Sequence, residues 1–203
     1  MAVEDEIEIV LRIINNWGIS MEFNEKTLSE TRAYSGKIIK VRVDEVQLQD
    51  GRMTVREVCE HPGGVAVLPL TSGGDVVLVK QYRYPYRVEL LEVPAGKLEP
   101  GEDPLECGVR ELKEETGLTA GRIQPLGVMY PSPGYLNEKL YLYLARDLSA
   151  GDASPDEGEY LRVERMPFEE LIGLIMDDRI HDGKTVVSAL KTAKILEQES
   201  QAG

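Results

Sequence analysis

The chain has 203 residues and a formal net charge of -13, set by 36 Asp and Glu against 23 Lys and Arg. That balance argues against non-specific binding to nucleic acid or to an anionic membrane, both of which need a basic surface, and any phosphate-bearing substrate would have to be met by bound cations. Apolar residues make up 42% and are spread throughout, so a core can form without cross-links; the two cysteines, Cys59 and Cys107, suit neither a disulfide framework nor a zinc site, which predicts a cytoplasmic protein.

Residues 1–20 form an extension in which Ile7, Val10, Leu11 and Ile14 recur at helical spacing, with Trp17-Gly18 able to end the helix. The start is acidic where a signal peptide is basic, and the apolar run 9–14 is short and broken by Arg12, so neither secretion nor a membrane span is expected. Residues 21–61 turn to strand character. A β-branched run at 37–46, the turn Gln49-Asp50-Gly51 and a partner strand at 53–59 predict a small antiparallel sheet domain, closed by the turn cluster His61-Pro62-Gly63-Gly64. Residues 62–203 form the second domain. Apolar strands at 64–70 and 75–82 flank Thr71-Ser72-Gly73-Gly74, a hairpin signal, and another strand is expected at 87–93.

A helix follows at 104–116: Asp103 caps it, Pro104 suits its first turn, Glu106 favours the positive end of the dipole and Gly117 supplies a left-handed stop. Strands at 121–130 and 140–145, an acidic loop at 151–159, a strand at 160–165 and helices at 167–176 and 184–197 complete the chain. The result is an α+β protein, with mixed strands and helices packed on them.

On the 104–116 helix, Glu111, Glu114 and Glu115 lie three and four residues apart and share a face, while Leu105, Val109 and Leu112 form a stripe expected to face the core. Gly108, between them, would let another backbone approach. Like charges at this spacing cost an isolated helix roughly 0.2–0.5 kcal/mol per pair, a cost that a bound cation removes. Carboxylates, waters and substrate phosphate oxygens are the usual shell of magnesium. Taken without its flanks, the same patch is an ordinary solvated helix face.

The flanks supply Gly96, Glu102, Arg110, Glu111, Leu112, Glu114, Glu115, Gly117 and Leu118, which fill every specified position of the Nudix box, Gly-x5-Glu-x7-Arg-Glu-aliphatic-x-Glu-Glu-x-Gly-aliphatic. The chain therefore resembles Nudix hydrolases. The resemblance implies a mixed sheet sandwiched between helices, with the box as loop-helix-loop. It implies divalent metal ligation by Glu111 and Glu115, assisted by Glu114 and joined by the carbonyl of Ala95, with Mg2+ the expected ion and Mn2+ the alternative. Arg110 would hold an acidic side chain in place, with Glu102 the nearest one; for Glu102 a purely structural role stands equally. Gly96 would serve the loop geometry.

Three further features resemble the ADP-ribose pyrophosphatase group. They are Val79-Lys80-Gln81-Tyr82-Arg83 followed by Glu92-Val93-Pro94-Ala95-Gly96, then Ser132-Pro133-Gly134 with Pro133 fifteen residues beyond Leu118, and the acidic stretch Asp156-Glu157-Gly158-Glu159. The likeness runs from about Ser35 to Leu190. It implies that Glu157 takes the proton of the attacking water and that Glu159 adds a metal ligand, roles the two could exchange. Arg56, Arg83, Pro133 and Gly134 would contact substrate, although either arginine could instead form a surface ion pair, and Pro133-Gly134 could be an ordinary turn. His61 and His181 look too isolated for catalysis. The implied reaction is metal-dependent hydrolysis of ADP-ribose to AMP and ribose 5-phosphate, and the implied assembly is a homodimer through the N-terminal sheet. The competing readings are another nucleoside diphosphate sugar, such as GDP-mannose, or a ligand-sensing domain without catalysis.

Overall fold

The computed structural model describes residues 24–154 and 160–202. The helix expected in the N-terminal extension, and with it Glu157 and Glu159, lie outside these residues. Two compact units are present: residues up to Ser35 with Val41–Val58, and Gly36–Lys40 with the chain from Cys59 onward.

The first unit is built on a three-stranded sheet in the order β1 (Lys26–Ser35), β2 (Lys40–Gln47), β3 (Met53–Glu60). Gly51, at a φ of 84°, makes the predicted turn between the last two, where the amide of Arg52 donates to Asp50 Oδ1 at 3.0 Å. β1 carries the polar run KTLSETRAYS and is exposed along its whole length.

The second unit centres on a four-stranded mixed sheet in the order β7 (Ala95–Lys97), β4 (Gly64–Pro69), β9 (Leu140–Ala150), β8 (Leu118–Met129), with β4 and β9 parallel. A second sheet orders β10 (Leu161–Pro167), β5 (Asp75–Arg83), β6 (Val88–Glu92), all antiparallel. The helices are α1 (Pro104–Thr116), α2 (Phe168–Met176) and α3 (Gly183–Ala202). Every residue of β4 is buried, and the period-two alternation of a strand explains how. Val65 and Val67 pack with Cys107 and Leu112 of α1, whereas Ala66 and Leu68 pack with Leu142, Leu144 and the residues of α2 and α3. The mixed sheet thus lies between helices, as the sequence resemblance implied.

Two expectations need correction. The turn at Thr71-Ser72-Gly73-Gly74 forms, with the amide of Gly74 donating to the carbonyl of Thr71 at 3.1 Å, but it does not close a hairpin within one sheet. An isolated Leu70–Val76 bridge and the hydrogen bonds between Thr71 and Asp75 join its arms, while β4 pairs with β7 and β9, and β5 with β6 and β10. Local turn chemistry brings the strands side by side, and pairing partners distant in sequence then draw them into different sheets. The helix stripe is also rotated. Leu105 and Val109 are 43% and 44% exposed, and the face of α1 turned inward carries Cys107, Gly108, Leu112 and Glu115. Gly108 decides that phase: a Cβ there would stand 3.0 Å from Val65 and 3.2 Å from Val67, so the small residue lets α1 lie directly on the side chains of β4.

Candidate active site

α1 is fixed at both ends by local chemistry. Asp103 Oδ1 accepts from the amides of Leu105 at 2.8 Å and Glu106 at 3.3 Å, and Gly117 takes a φ of 71° while its amide donates to the carbonyl of Lys113 at 2.8 Å. Between these caps the acidic side chains do not simply repel one another. Arg110 Nη1 donates to Glu111 Oε1 at 2.8 Å and to Glu114 Oε2 at 2.9 Å, and Arg110 Nε and Nη2 engage Glu102 at 2.9 and 3.1 Å. One guanidinium therefore gathers three of the box carboxylates. That hydrogen bonding, joined by the amide of Glu99 donating to Glu102 at 2.9 Å, holds the Glu102 carboxyl down to about 2 from an ordinary 4.5. Beneath it, burial followed by the neighbouring Glu102 pushes the Cys107 thiol up to about 12. Among the described residues both cysteines are free of disulfides.

Glu115 is 3% exposed, and its Oε2 accepts from the amide of Ala95 at 3.0 Å. Gly96 lies so close to Glu111 that a Cβ added there would come within 1.8 Å of Oε1. The short strand β7 and one face of α1 are in this way pressed together. Both carboxylates border a cleft of about 1010 Å3, whose wall also includes Ala95, Gly96 and Arg110. This volume is at the upper end of ordinary small-molecule sites.

A second charged group lines the same cleft. Arg83 Nε and Nη2 clasp the two oxygens of Glu92 at 2.6 Å each, Lys184 Nζ also bonds Glu92 Oε2, and Asp182 Oδ1 accepts from Lys184 at 2.7 Å. Glu92 is fully buried. Burial opposes its ionisation most strongly, yet Arg83 and Lys184 together outweigh that and hold the carboxyl below its usual range.

Arg56, in the first unit, forms an ion pair with Glu25 at 2.5 Å. Pro133 and Gly134 are exposed and do not border the cleft. Glu114 is turned to Arg110. His61, read from the sequence as a turn residue, borders the cleft: its Nδ1 stands 3.2 Å from Glu138 Oε1 and its amide donates to Asn137 at 2.8 Å. Lys184 and Asp182 carry no local sequence signal for this site, because the strand and helix that bring them to Glu92 lie some ninety residues apart. The pairing of Asp182 with Thr185, whose amide and hydroxyl donate to Asp182 Oδ2 at 3.0 and 2.6 Å, is a visible capping signal at the start of α3. Among the described residues no helix is long and apolar enough to cross a membrane.

The sequence profile of the NUDIX domain matches residues 60–188, and that of the nucleoside diphosphate sugar hydrolase N-terminal domain matches residues 25–59. A methanol dehydrogenase activator from Bacillus methanolicus is 40% identical over 168 residues, which is 82% of this chain and 91% of that protein. An ADP-ribose pyrophosphatase from Bacillus subtilis (strain 168) is 39% identical over 163 residues, 79% of this chain and 88% of that one. The crystal structure of an ADP compounds hydrolase superposes with a TM-score of 0.78 at 22% identity, over 89% of this chain and 98% of the other, a likeness of fold. With a domain profile spanning more than half of the sequence, and with relatives this similar over most of it, the chain belongs to the Nudix family.

Proposed function

We propose that the protein is a hydrolase that splits the diphosphate of ADP-ribose into AMP and ribose 5-phosphate, with divalent metal held by Glu111 and Glu115. The observation that carries this reading is the meeting of Glu111, Glu115 and the Ala95-Gly96 backbone on one wall of a cleft that also presents Arg83. The relative from Bacillus subtilis that carries the name ADP-ribose pyrophosphatase supports the choice of substrate.

The residues fit a hard cation. Two carboxylates and the carbonyl of Ala95 form an all-oxygen donor set suited to Mg2+ or Mn2+, whereas zinc would call for His or Cys. Among the described residues no cluster of three or more acidic, His or Cys side chains stands ready for a metal. Waters and substrate oxygens, together with Glu159 in our reading, complete the donor set. When bound, the metal would offset charge building on the phosphoryl oxygens and make water a stronger acid.

Within that frame the protein's own groups have distinct tasks. Arg110 keeps Glu111 and Glu114 in fixed positions, and Glu115 is aimed by the Ala95 amide. Arg83 presents its guanidinium to the diphosphate, and Glu157 takes a proton from the attacking water. Gly96 keeps the β7 backbone close enough to Glu111 for both to reach one site.

Incubation of the purified protein with ADP-ribose and Mg2+, followed by chromatography of the products, tests this reading. AMP is expected with metal and not with a chelator, and Glu111→Gln or Glu115→Gln should lower the rate by about a hundredfold or more, the size of effect seen when one well-placed electrostatic group is removed. Faster cleavage of GDP-mannose than of ADP-ribose would reassign the substrate; metal-independent turnover, or unaltered rates in both variants, would remove the metal role.

A further inference from the structure

We propose that Lys184 is a positioning residue for substrate binding, acting through Glu92 on Arg83. The inference rests on the reading above that Arg83 meets the diphosphate.

Glu92 is fully buried, and it is the hub of a charged group that joins two separate parts of the fold. Arg83 ends β5, Glu92 ends the adjacent β6, and Lys184 with Asp182 sits at the start of α3. A second tie reinforces the junction: the amide of Val93 donates to Thr185 Oγ1 at 2.9 Å, and Thr185 is itself held by Asp182. Arg83, Asp182 and Lys184 all border the cleft, and Arg83 lies within Coulombic reach of Glu115, which borders it too.

The geometry divides the guanidinium into two parts. Glu92 occupies the Nε and Nη2 edge of Arg83, so Nη1 is the part that a phosphate oxygen can engage. The direction of Nη1 is consequently set by the plane of the Glu92 carboxylate, and that plane is held by Lys184 on Oε2. Charge works in the same sense. With Lys184 in place, Glu92 shares its negative charge between two cations, and part of the attraction exerted by Arg83 is left for an incoming anion. Without Lys184, Glu92 would draw on Arg83 alone and compete with the substrate for it. Lys184 is only 11% exposed and has carboxylates on two sides, which suits a brace for Glu92 more than a direct hand on the ligand.

The test is steady-state kinetics on Lys184→Met, which keeps the length of the side chain and removes its charge, beside Lys184→Arg, Arg83→Ala and the double variant Arg83→Ala/Lys184→Met. Expected are a KM for ADP-ribose raised at least fivefold in Lys184→Met with kcat within threefold of wild type, substantial recovery in Lys184→Arg, and a double variant no worse than Arg83→Ala alone. An unchanged KM in Lys184→Met, or losses that multiply in the double variant, would overturn the proposal. Should Lys184→Met fail to fold, Asp182→Asn takes its place: the amide still caps α3 and no longer anchors the ammonium group, so a raised KM is expected and an unaltered one rejects the idea. Binding of the non-hydrolysable α,β-methylene analogue of ADP-ribose is measured by calorimetry across the same series. If wild type neither binds it nor cleaves ADP-ribose, the substrate assignment fails on its own, and the comparison is repeated on the diphosphate sugar that wild type does cleave.

Discussion

Gly96 shows how a single missing side chain can carry function while costing the fold little. The atoms that a Cβ would meet belong to the carboxylate of Glu111, the far end of a flexible side chain, so Gly96→Ala can be accommodated if that carboxylate swings aside. Its displacement takes it away from Glu115 and Ala95. We therefore expect Gly96→Ala to fold with a circular dichroism spectrum and melting temperature close to wild type, and to lose activity by about a hundredfold, the penalty of an ångström-sized misplacement at a reacting centre. A variant that keeps its turnover would show that Glu111 need not be fixed by β7. Arg110 was readable in advance only through the likeness of the box, as a residue that holds an acidic side chain with Glu102 the nearest; that the same guanidinium also takes Glu111 and Glu114 emerges from the structure. The partnership of Arg83 with Glu92, and of His61 with Glu138, was not readable in this way: each needs a strand pairing or loop closure that no local pattern encodes.

The helix carrying the carboxylates is the element whose limits follow most directly from sequence. Asp103, Pro104 and Gly117 act within one turn of themselves, so their meaning does not depend on the rest of the chain, and α1 begins and ends where they predict. What they could not reveal is which side of the helix faces inward. Leu105 and Val109 are larger and more apolar, yet Gly108 and Cys107 face the sheet because close approach to Val65 and Val67 rewards small size. β1 was legible only as part of a general strand tendency, since a fully exposed polar strand has no apolar alternation to read. β7 is three residues long and has no signal of its own. Gly117 offers a test of the terminator. Its left-handed φ costs a side-chain-bearing residue about 1–2 kcal/mol, and a Cβ would stand 2.5 Å from the carbonyl oxygen of Gly151. Gly117→Ala should therefore lose at least about 2 kcal/mol, lowering the melting temperature by roughly 4–8 °C for a chain of this length, and a shift under one degree would show that the backbone relaxes freely.

At the level of the molecule, the sheet of the first unit leaves all ten residues of β1 exposed and shows Leu28, Met53 and Val55 at about half exposure. An edge strand of that length invites pairing with another chain unless something covers it. We expect a homodimer, with sedimentation equilibrium giving twice the chain mass, and Leu28→Glu/Val55→Glu shifting the protein toward monomer while leaving its fold intact; a monomeric wild type at micromolar concentration would count against the assembly. The sandwich itself was foreseeable from the box, but the division of strands between sheets was not, because β4 finds its parallel partner in β9 more than seventy residues later. The cleft also draws its charged groups from separate elements: Glu111, Glu115 and Arg110 stand on α1, whereas Arg83 ends β5 and Asp182 and Lys184 lie where α3 begins. Mutation could therefore retune which phosphorylated compound is accepted by altering one supporting wall, with the other left untouched. For protein engineers, that makes the β5 and α3 side the natural library for new specificities, with the reaction apparatus held constant.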